Sequence, residues 1–478
     1  MTERTTRGID LAGPHDPLDD PEVRAARDRG IARLDALGAH RRTVRGRRFD
    51  SIAVHGMYGM AAALENGGSI IEPAVLAPAQ HFADSAEMEA AAAILAPGWI
   101  YSRIANPTLL YLEQTLALLE GYGFDGETSA HVTGSGMAAI ALATQPFLGV
   151  DAPGAEPGPM NVVVTARCYG GTFQLFTHEY AEDRGIEVRW VRDPLDLDEW
   201  ASRIDGRTRF VFGEMPSNPQ LSVFDIEGVA RLAHAAGVPL IVDSTIATPA
   251  LLRPLRHGAD VVVHSLSKAV GGSGLTIGGA IVSRRGIVSR VGSDELRDDF
   301  ATWVKLIPHR NQGPALNALS ALFLLSDLRT LRPRVDHWSR TSLAVARFLA
   351  DHPAVEAVSY PGLPGDEGHA VASRYLWLAD GDAEGLPVNR YGHLMGFRVR
   401  GGPRAARRVF DGLEMVWRAT DLGKVKSVAA IPMISTHQQQ GDAGRDLAAV
   451  PGDLIRLSVG GEHVDDLVAD LERALARA

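Results

Sequence analysis

Lys268 has the surroundings that most suggest chemistry. It lies in DVVVHSLSKAVGGSGLTIGGAIVS, from Asp260 to Ser283: an apolar run ending in His264 and Ser265, then Ser267, the lysine and a glycine-rich turn, then a second apolar run. An apolar run bounded by glycine reads as a buried strand, so the amine stands just past a strand end, where a rigid sheet can present it to a ligand. Gly271, Gly272 and Gly274 let the backbone approach that ligand closely. An amine desolvated in such a place becomes a nucleophile towards carbonyls. A nucleotide-phosphate loop has its glycine directly before the lysine, and here the glycines follow it, which excludes that reading.

A lone lysine in a loop is most often an ordinary surface side chain, so its company decides. Residues 131–147, HVTGSGMAAIALATQPF, put Ser135, Gly136 and Met137 at a helix start after a strand, a ready phosphate site. The same letters satisfy a loose dinucleotide fingerprint, but the next strand, NVVVTARCYGG, ends in Cys168 and Tyr169 rather than an acidic residue. In WIYSRIANPT, Tyr101 and Arg103 precede a helix that starts after Asn106-Pro107; a guanidinium there makes a good anion clamp. Asn218 and Asp243 each follow an apolar run, and Asp243 lies one strand–helix–strand unit before Lys268.

The elements that position these groups alternate. NVVVTA, IEVRWVR, RFVFGEM, PLIVDS and DVVVHS read as strands, separated by helical stretches such as GTFQLFTHEYAE and IEGVARLAHAAG. This pattern predicts an α/β fold with a mostly parallel sheet covered on both faces and ligands bound beyond the carboxyl ends of its strands. Tyr169, Asn218, Asp243 and Lys268 all fall at that edge. The C-terminal part reads as α+β, with strands VEAVSY, HLMGFRVRG, SVAAIP and LIRLSVGG. The expected organisation is an N-terminal extension over 1–48, an arm contacting a neighbouring subunit over 49–110, a large α/β domain over 111–320 and a smaller α+β domain over 321–478. Residues 364–390 read as a loop-rich insertion.

Composition narrows the partners. The chain has 478 residues, 45% apolar and 22% charged, as expected of a globular protein. A formal net charge of −10 argues against nucleic acid, and the basic cluster His40 to Arg48 reads as solvated or subunit-contacting. One cysteine, Cys168, fits a reducing cytoplasm, and no apolar run is long enough for a signal peptide or a membrane span. No metal-ligand cluster is expected.

Together these residues describe a cofactor with a phosphate, a flat ring, a ring nitrogen that wants a carboxylate, and an aldehyde; pyridoxal 5'-phosphate needs each. The motifs YSRIANPT, GSGMAAI, CYGGTFQLF, EMPSNP, VDSTIATP, HSLSKAVGGSG, STHQQQG around Thr436 and His437, and LIRLSVGGEHVDDL resemble those of the Cys/Met-metabolism (transsulfuration) family of pyridoxal-phosphate (PLP) enzymes, in the right order over roughly residues 50–478. The resemblance implies a fold-type I PLP-dependent transferase, with a seven-stranded type of sheet and a smaller C-terminal domain. It implies Lys268 as the Schiff-base residue, Asp243 on the ring nitrogen, Tyr169 stacked on the ring, and Asn218 on the phenolic oxygen. Ser135, Gly136, Met137, Ser265 and Ser267 would hold the phosphate, with Tyr101 and Arg103 reaching in from a neighbouring subunit. That requires a homo-oligomer, a dimer with shared sites or a tetramer. Arg456 would clamp the substrate α-carboxylate, with Ser427 nearby, and Lys268, Tyr169 and Tyr101 would move protons.

Within the family, Gly171 stands where methionine γ-lyases carry cysteine, and Lys426 where cystathionine enzymes carry glutamate. A cation at Lys426 would repel a substrate with a distal ammonium. The segment from Asp421 to Gly441 resembles O-acetylhomoserine sulfhydrylases. The implied activity is γ-replacement or γ-elimination on a 4-substituted L-2-amino acid through a vinylglycine-type intermediate. A γ-lyase for a halogenated or thioether amino acid and a cystathionine γ-synthase or lyase are alternatives. A nicotinamide oxidoreductase and a non-catalytic PLP-fold module are the readings from other classes. Ala269 after the lysine, Ser273 and VDSTI depart from the common family letters, close to the cofactor.

Overall fold

A computed structural model describes residues 16–96, 98–149 and 158–478. Seven strands form the large sheet: β1 (Thr128–Thr133), β2 (Asn161–Thr165), β3 (Glu187–Val191), β4 (Thr208–Glu214), β5 (Leu240–Asp243), β6 (Val261–Ser265) and β7 (Gly279–Arg284). Their order is β1-β7-β6-β5-β4-β2-β3. The run from β6 to β3 is parallel, and β7 lies antiparallel between β1 and β6.

Both faces of this sheet are dry because alternate residues of its strands are apolar in both directions. Val163, Val211, Leu240 and Val242 pack on one side with the helices Pro107–Glu120 and Ala318–Leu328. Val162, Val164, Phe210, Phe212, Ile241 and Val261 pack on the other with the helix Gly136–Thr144. Five parallel strands therefore end at one edge, and the connections that leave this edge carry the polar residues singled out above.

The smaller sheet has β8 (Val355–Ser359), β9 (Leu394–Val399), β10 (Trp417–Arg418), β11 (Val428–Ala430) and β12 (Leu454–Ser458), in the order β10-β11-β12-β9-β8. The helices Leu331–Asp351, Gly402–Asp411 and Val464–Leu475 close a separate core over it. β10 was not expected from sequence: its two residues are exposed, so it carries no apolar alternation.

Residues 364–390 differ from the expected loop-rich insertion. They contain the helix His369–Tyr375, and Ala372, Tyr375, Leu376, Leu378 and Ala379 join the same core as the large sheet. The apolar letters of YLWLA are what anchor a stretch whose glycines and acidic residues read as loop. In the basic cluster, Arg41 and Arg45 at the end of the helix Pro21–Arg45 bond this chain's own β1 approach: Arg45 reaches Glu127 at 2.9 Å and the Gly126 carbonyl at 2.8 Å, and Arg41 reaches Thr128 Oγ1 at 3.1 Å. Over 49–110, Phe49, Ile52 and Ala53 enter the main core, whereas Met60, Leu64, Ile70 and Leu76 are exposed. Among the described residues no helix is long and apolar enough to cross a membrane.

Candidate active site

The turn after β6 presents Lys268. Its N–H donates to the Ser265 carbonyl (3.2 Å) and Gly271 N–H donates to the Leu266 carbonyl (2.8 Å), which winds Ser267–Gly271 tightly below the amine. Lys268 Nζ donates to Asp421 Oδ1 at 2.7 Å. The two side chains border a cavity of about 620 Å3 together with Ser267, Thr276, Thr420 and Lys424.

The chain has four lysines, and their surroundings separate them. Lys305 is held by the buried Glu113 carboxylate at 2.6 Å, and Lys426 lies over the Trp417 ring, 4.6 Å from its centre. Lys424 Nζ donates to the carbonyls of Ser267 and Gly271. Among the described residues, Lys268 is the cavity-lining lysine whose amine is held by a single carboxylate.

At the ends of β4 and β5, Glu214 and Asp243 face each other in register, both buried. Glu214 accepts from the N–H groups of Tyr169 (2.7 Å) and Asn218 (2.7 Å). Asp243 Oδ1 accepts from Thr245 N–H (2.9 Å) and Thr245 Oγ1 (2.6 Å), and Thr245 Oγ1 accepts from Ser265 N–H at 2.8 Å. Burial pushes the Glu214 carboxyl well above the usual range, and the charge of Asp243 adds to it. Burial also pushes Asp243 up, opposed by the Thr245 bonds and by His264 behind it. Two such carboxyls cannot both ionise easily, so a cation placed against Asp243 would leave the proton on Glu214.

Arg456 rises from the middle of β12 and is 1% exposed. It donates to Asn218 Oδ1 (3.0 Å) and to the Asp421 carbonyl (2.7 Å), while Nε is buried without a partner. Burial lowers its proton affinity to about 10. Among the described residues it has no carboxylate within salt-bridge distance. A buried guanidinium in that state calls for an anion. One connected network thus runs from Lys268 through Asp421, Arg456 and Asn218 to Glu214 and Tyr169, joining both sheets.

The third part is the start of the helix Gly136–Thr144. Ser135 caps it, its Oγ accepting from Ala138 N–H at 3.1 Å. The first-turn amides of Gly136 and Met137 have no acceptor within the helix. A Cβ on Gly136 would lie 2.6 Å from Ser265 Cβ, and one on Gly279 would lie 2.1 Å from the Ser135 carbonyl oxygen, so only glycines let this turn close on the ends of β6 and β7. An amine, a buried carboxyl, a half-exposed ring (Tyr169) and a cradle of amides and hydroxyls are the donor set that PLP needs, and the residues fit it.

Other expected residues lie elsewhere or are already engaged. Ser267 Oγ both donates to the Gly278 carbonyl and accepts from its N–H. Ser427 is buried, but its hydroxyl donates to Glu462 (2.8 Å) and accepts from Gly460 N–H (2.8 Å). Lys426 is exposed; the lysine that borders the cavity is Lys424, two residues earlier in the same irregular loop. Tyr101 is exposed with Arg103 beside its ring, Arg103 bonds the Arg310 carbonyl, and neither borders the cavity. Gly171 has a local reason: a Cβ there would meet the Tyr169 ring at 2.6 Å and the Met137 sulfur at 3.2 Å.

Sequence reasoning missed Glu214, Asp421 and Lys424 as site residues. Glu214 stands inside EMPSNP and the others inside the segment already singled out, so the motifs were seen but not the side chains within them. Among the described residues, no group of three or more His, Cys, Asp or Glu side chains could hold a metal.

Comparison with known proteins agrees with this geometry. A family model for "Cys/Met metabolism PLP-dependent enzyme" matches residues 57–476. A homocysteine synthase of Schizosaccharomyces pombe is 36% identical over 404 residues, covering 79% of this chain and 87% of that one. A cystathionine gamma-synthase of Mycobacterium bovis is 37% identical over 379 residues, covering 79% and 86%. The crystal structure of a putative O-acetylhomoserine (thiol)-lyase from Campylobacter jejuni superposes with a TM-score of 0.78 at 31% identity, over 90% of this chain and 100% of that chain. In that crystal one lysine is recorded as N'-pyridoxyl-lysine-5'-monophosphate. The expected fold class therefore holds.

Proposed function

The chain belongs to the Cys/Met metabolism family of PLP-dependent enzymes, and within it we propose a γ-replacement enzyme of the O-acetylhomoserine sulfhydrylase kind. Its substrate is an L-2-amino acid with a leaving group at Cγ, and its second substrate is sulfide or a small thiol. The observation that carries this is the shared network of Lys268 and Arg456: an amine at a cavity, linked through Asp421 to a buried guanidinium that lacks a carboxylate. An α-amino acid supplies that carboxylate and places its Cα beside the lysine.

When bound, the cofactor supplies an electron sink that stabilises negative charge at the substrate Cα and lets a Cγ substituent depart. In this reading Lys268 would bind it, Asp243 would keep its ring nitrogen protonated, and Tyr169 would cover its ring. Asn218 would meet its phenolic oxygen, and Ser135, Gly136, Met137 and Ser265 would hold the phosphate, while Ser267 keeps the turn closed on Gly278. Arg456 binds and orients the α-carboxylate. Lys268 Nζ takes the Cα proton and carries it to the neighbouring carbons, and Tyr169 donates to the departing group. Tyr101 and Arg103, which do not border the cavity of their own chain, would complete the site of a second copy in a homodimer or tetramer. We place the enzyme in the cytoplasm, in keeping with its single cysteine.

The test incubates purified protein with O-acetylhomoserine, methionine or a 4-halogenated amino acid, with and without sulfide, and identifies products by mass spectrometry. Homocysteine formed only with sulfide supports replacement. A 2-oxo acid formed without sulfide makes the enzyme a γ-lyase instead. Turnover of none of them defeats the proposal.

A further inference from the structure

Asp421 comes from the loop between β10 and β11, 153 residues away from Lys268 in sequence, and holds the lysine amine at 2.7 Å. Its Oδ1 also accepts from Leu422 N–H (2.9 Å), while its own carbonyl is bonded by Arg456 at 2.7 Å. The residue is therefore held through both its carboxylate and its backbone carbonyl. The charged groups that face it are Lys268 on the turn after β6, Lys424 on its own loop with Nζ 3.9 Å from Oδ2, and Arg456 on β12. Behind Lys424 stand Asp327 and Arg334, which bind the same turn: Asp327 accepts from Ser273 Oγ at 2.6 Å, and Arg334 donates to the carbonyls of Ala269 (2.8 Å) and Val270 (3.0 Å). Lys268 and Lys424 hold the Asp421 carboxyl below its usual range against the opposing effect of burial, so it is anionic where it meets the lysine.

Building on the cofactor reading above, we propose that Asp421 is a positioning residue whose negative charge, beyond its hydrogen bond, keeps a proton on the nitrogen through which Lys268 joins the cofactor. A protonated link is the more electrophilic one, the form an incoming amino group attacks. An anion in contact with that nitrogen favours its charged form, and the partly dry setting strengthens the effect. Once the substrate has displaced Lys268, the same carboxylate receives the freed amine and keeps it beside Arg456, where the substrate Cα lies. Lys424 has the complementary task. By tying down the carbonyls of Ser267 and Gly271, it stops the turn from following the charge.

The test reads the cofactor-loaded protein without substrate. The visible absorbance band is titrated with pH in the parent and in Asp421→Asn, Asp421→Ser and Asp421→Glu. Borohydride reduction followed by peptide mass spectrometry locates the pyridoxyl tag in each. The expected result is a midpoint lower by at least one pH unit, about a tenfold loss of proton affinity, in both the Asn and Ser variants, with the Glu variant nearer the parent. Asn and Ser can each still hydrogen-bond, so a pure tether would leave the midpoint in place. A midpoint within about 0.3 unit of the parent in Asn and Ser, with the tag still on Lys268, overturns the role of Asp421 alone. A parent protein with no tag on the Lys268 peptide overturns the cofactor reading and this proposal with it.

Discussion

Single side chains divide into those that wait for a ligand and those already satisfied by the protein. Arg456 is of the first kind. Arg456→Lys keeps the charge but loses the planar fork, so we expect KM for the amino acid to rise at least tenfold in steady-state assays while the cofactor spectrum stays. Ser427 is of the second kind despite its place in the motif. Ser427→Ala leaves Gly460 N–H and one Glu462 oxygen short of a partner, and the expected cost is about 1–3 kcal/mol in urea unfolding with KM unchanged. A tenfold rise in KM would instead return Ser427 to the substrate. The four candidate positions at or just beyond strand ends, Tyr169, Asn218, Asp243 and Lys268, were legible because an apolar run fixes where a strand stops. Asp421 was not, because its meaning depends on a lysine far away in the chain. The choice between Lys424 and Lys426 was equally hidden, since their loop has no period that tells one side from the other.

Elements position these groups by how closely they approach one another. The start of the helix Gly136–Thr144 can sit on the end of β6 only without a side chain at Gly136. Gly136→Ala should therefore weaken cofactor binding at least tenfold, measured by absorbance on adding pyridoxal phosphate to stripped protein, with smaller loss of stability. The strands were readable from runs of valine and isoleucine that face dry cores on both sides. β10 and the helix His369–Tyr375 were not. The first is two exposed residues, and the second is a short apolar stretch between glycines and acidic residues whose burial comes from distant partners. The bond from Tyr169 N–H to Glu214 was also out of reach, because it follows from the pairing of β2 with β4 rather than from any spacing of letters.

Across the whole molecule, buried titratable groups set the acid limit. Burial lowers His309 to about 3, with His131 adding to it; burial lowers His393 to about 3, aided by Arg456 and Arg334; and burial lowers His437 to about 4. The unfolded chain takes up these protons near pH 6.5, well before the folded one, so their contribution is whole above that pH and is lost as pH falls towards 3–4. Burial alone would raise Glu113, yet Lys305 and His131 hold it at about 2, so its share is present above pH 4.5 and lost as pH falls through 2. Tm should thus decline steadily below pH 6.5, and His393→Leu should flatten that limb. Subunit sharing has its own check. Mixing inactive Lys268→Ala and Arg103→Ala chains by reversible dissociation should restore part of the activity if Arg103 serves a neighbour, and none if it serves its own chain.

The network that joins the two sheets also orders events at the ribosome. Lys268 and the strands before it are made before Asp421 and Arg456. A nascent chain stalled before β12 offers no guanidinium to receive an amino acid. Premature release at that point should therefore abolish turnover outright rather than alter selectivity.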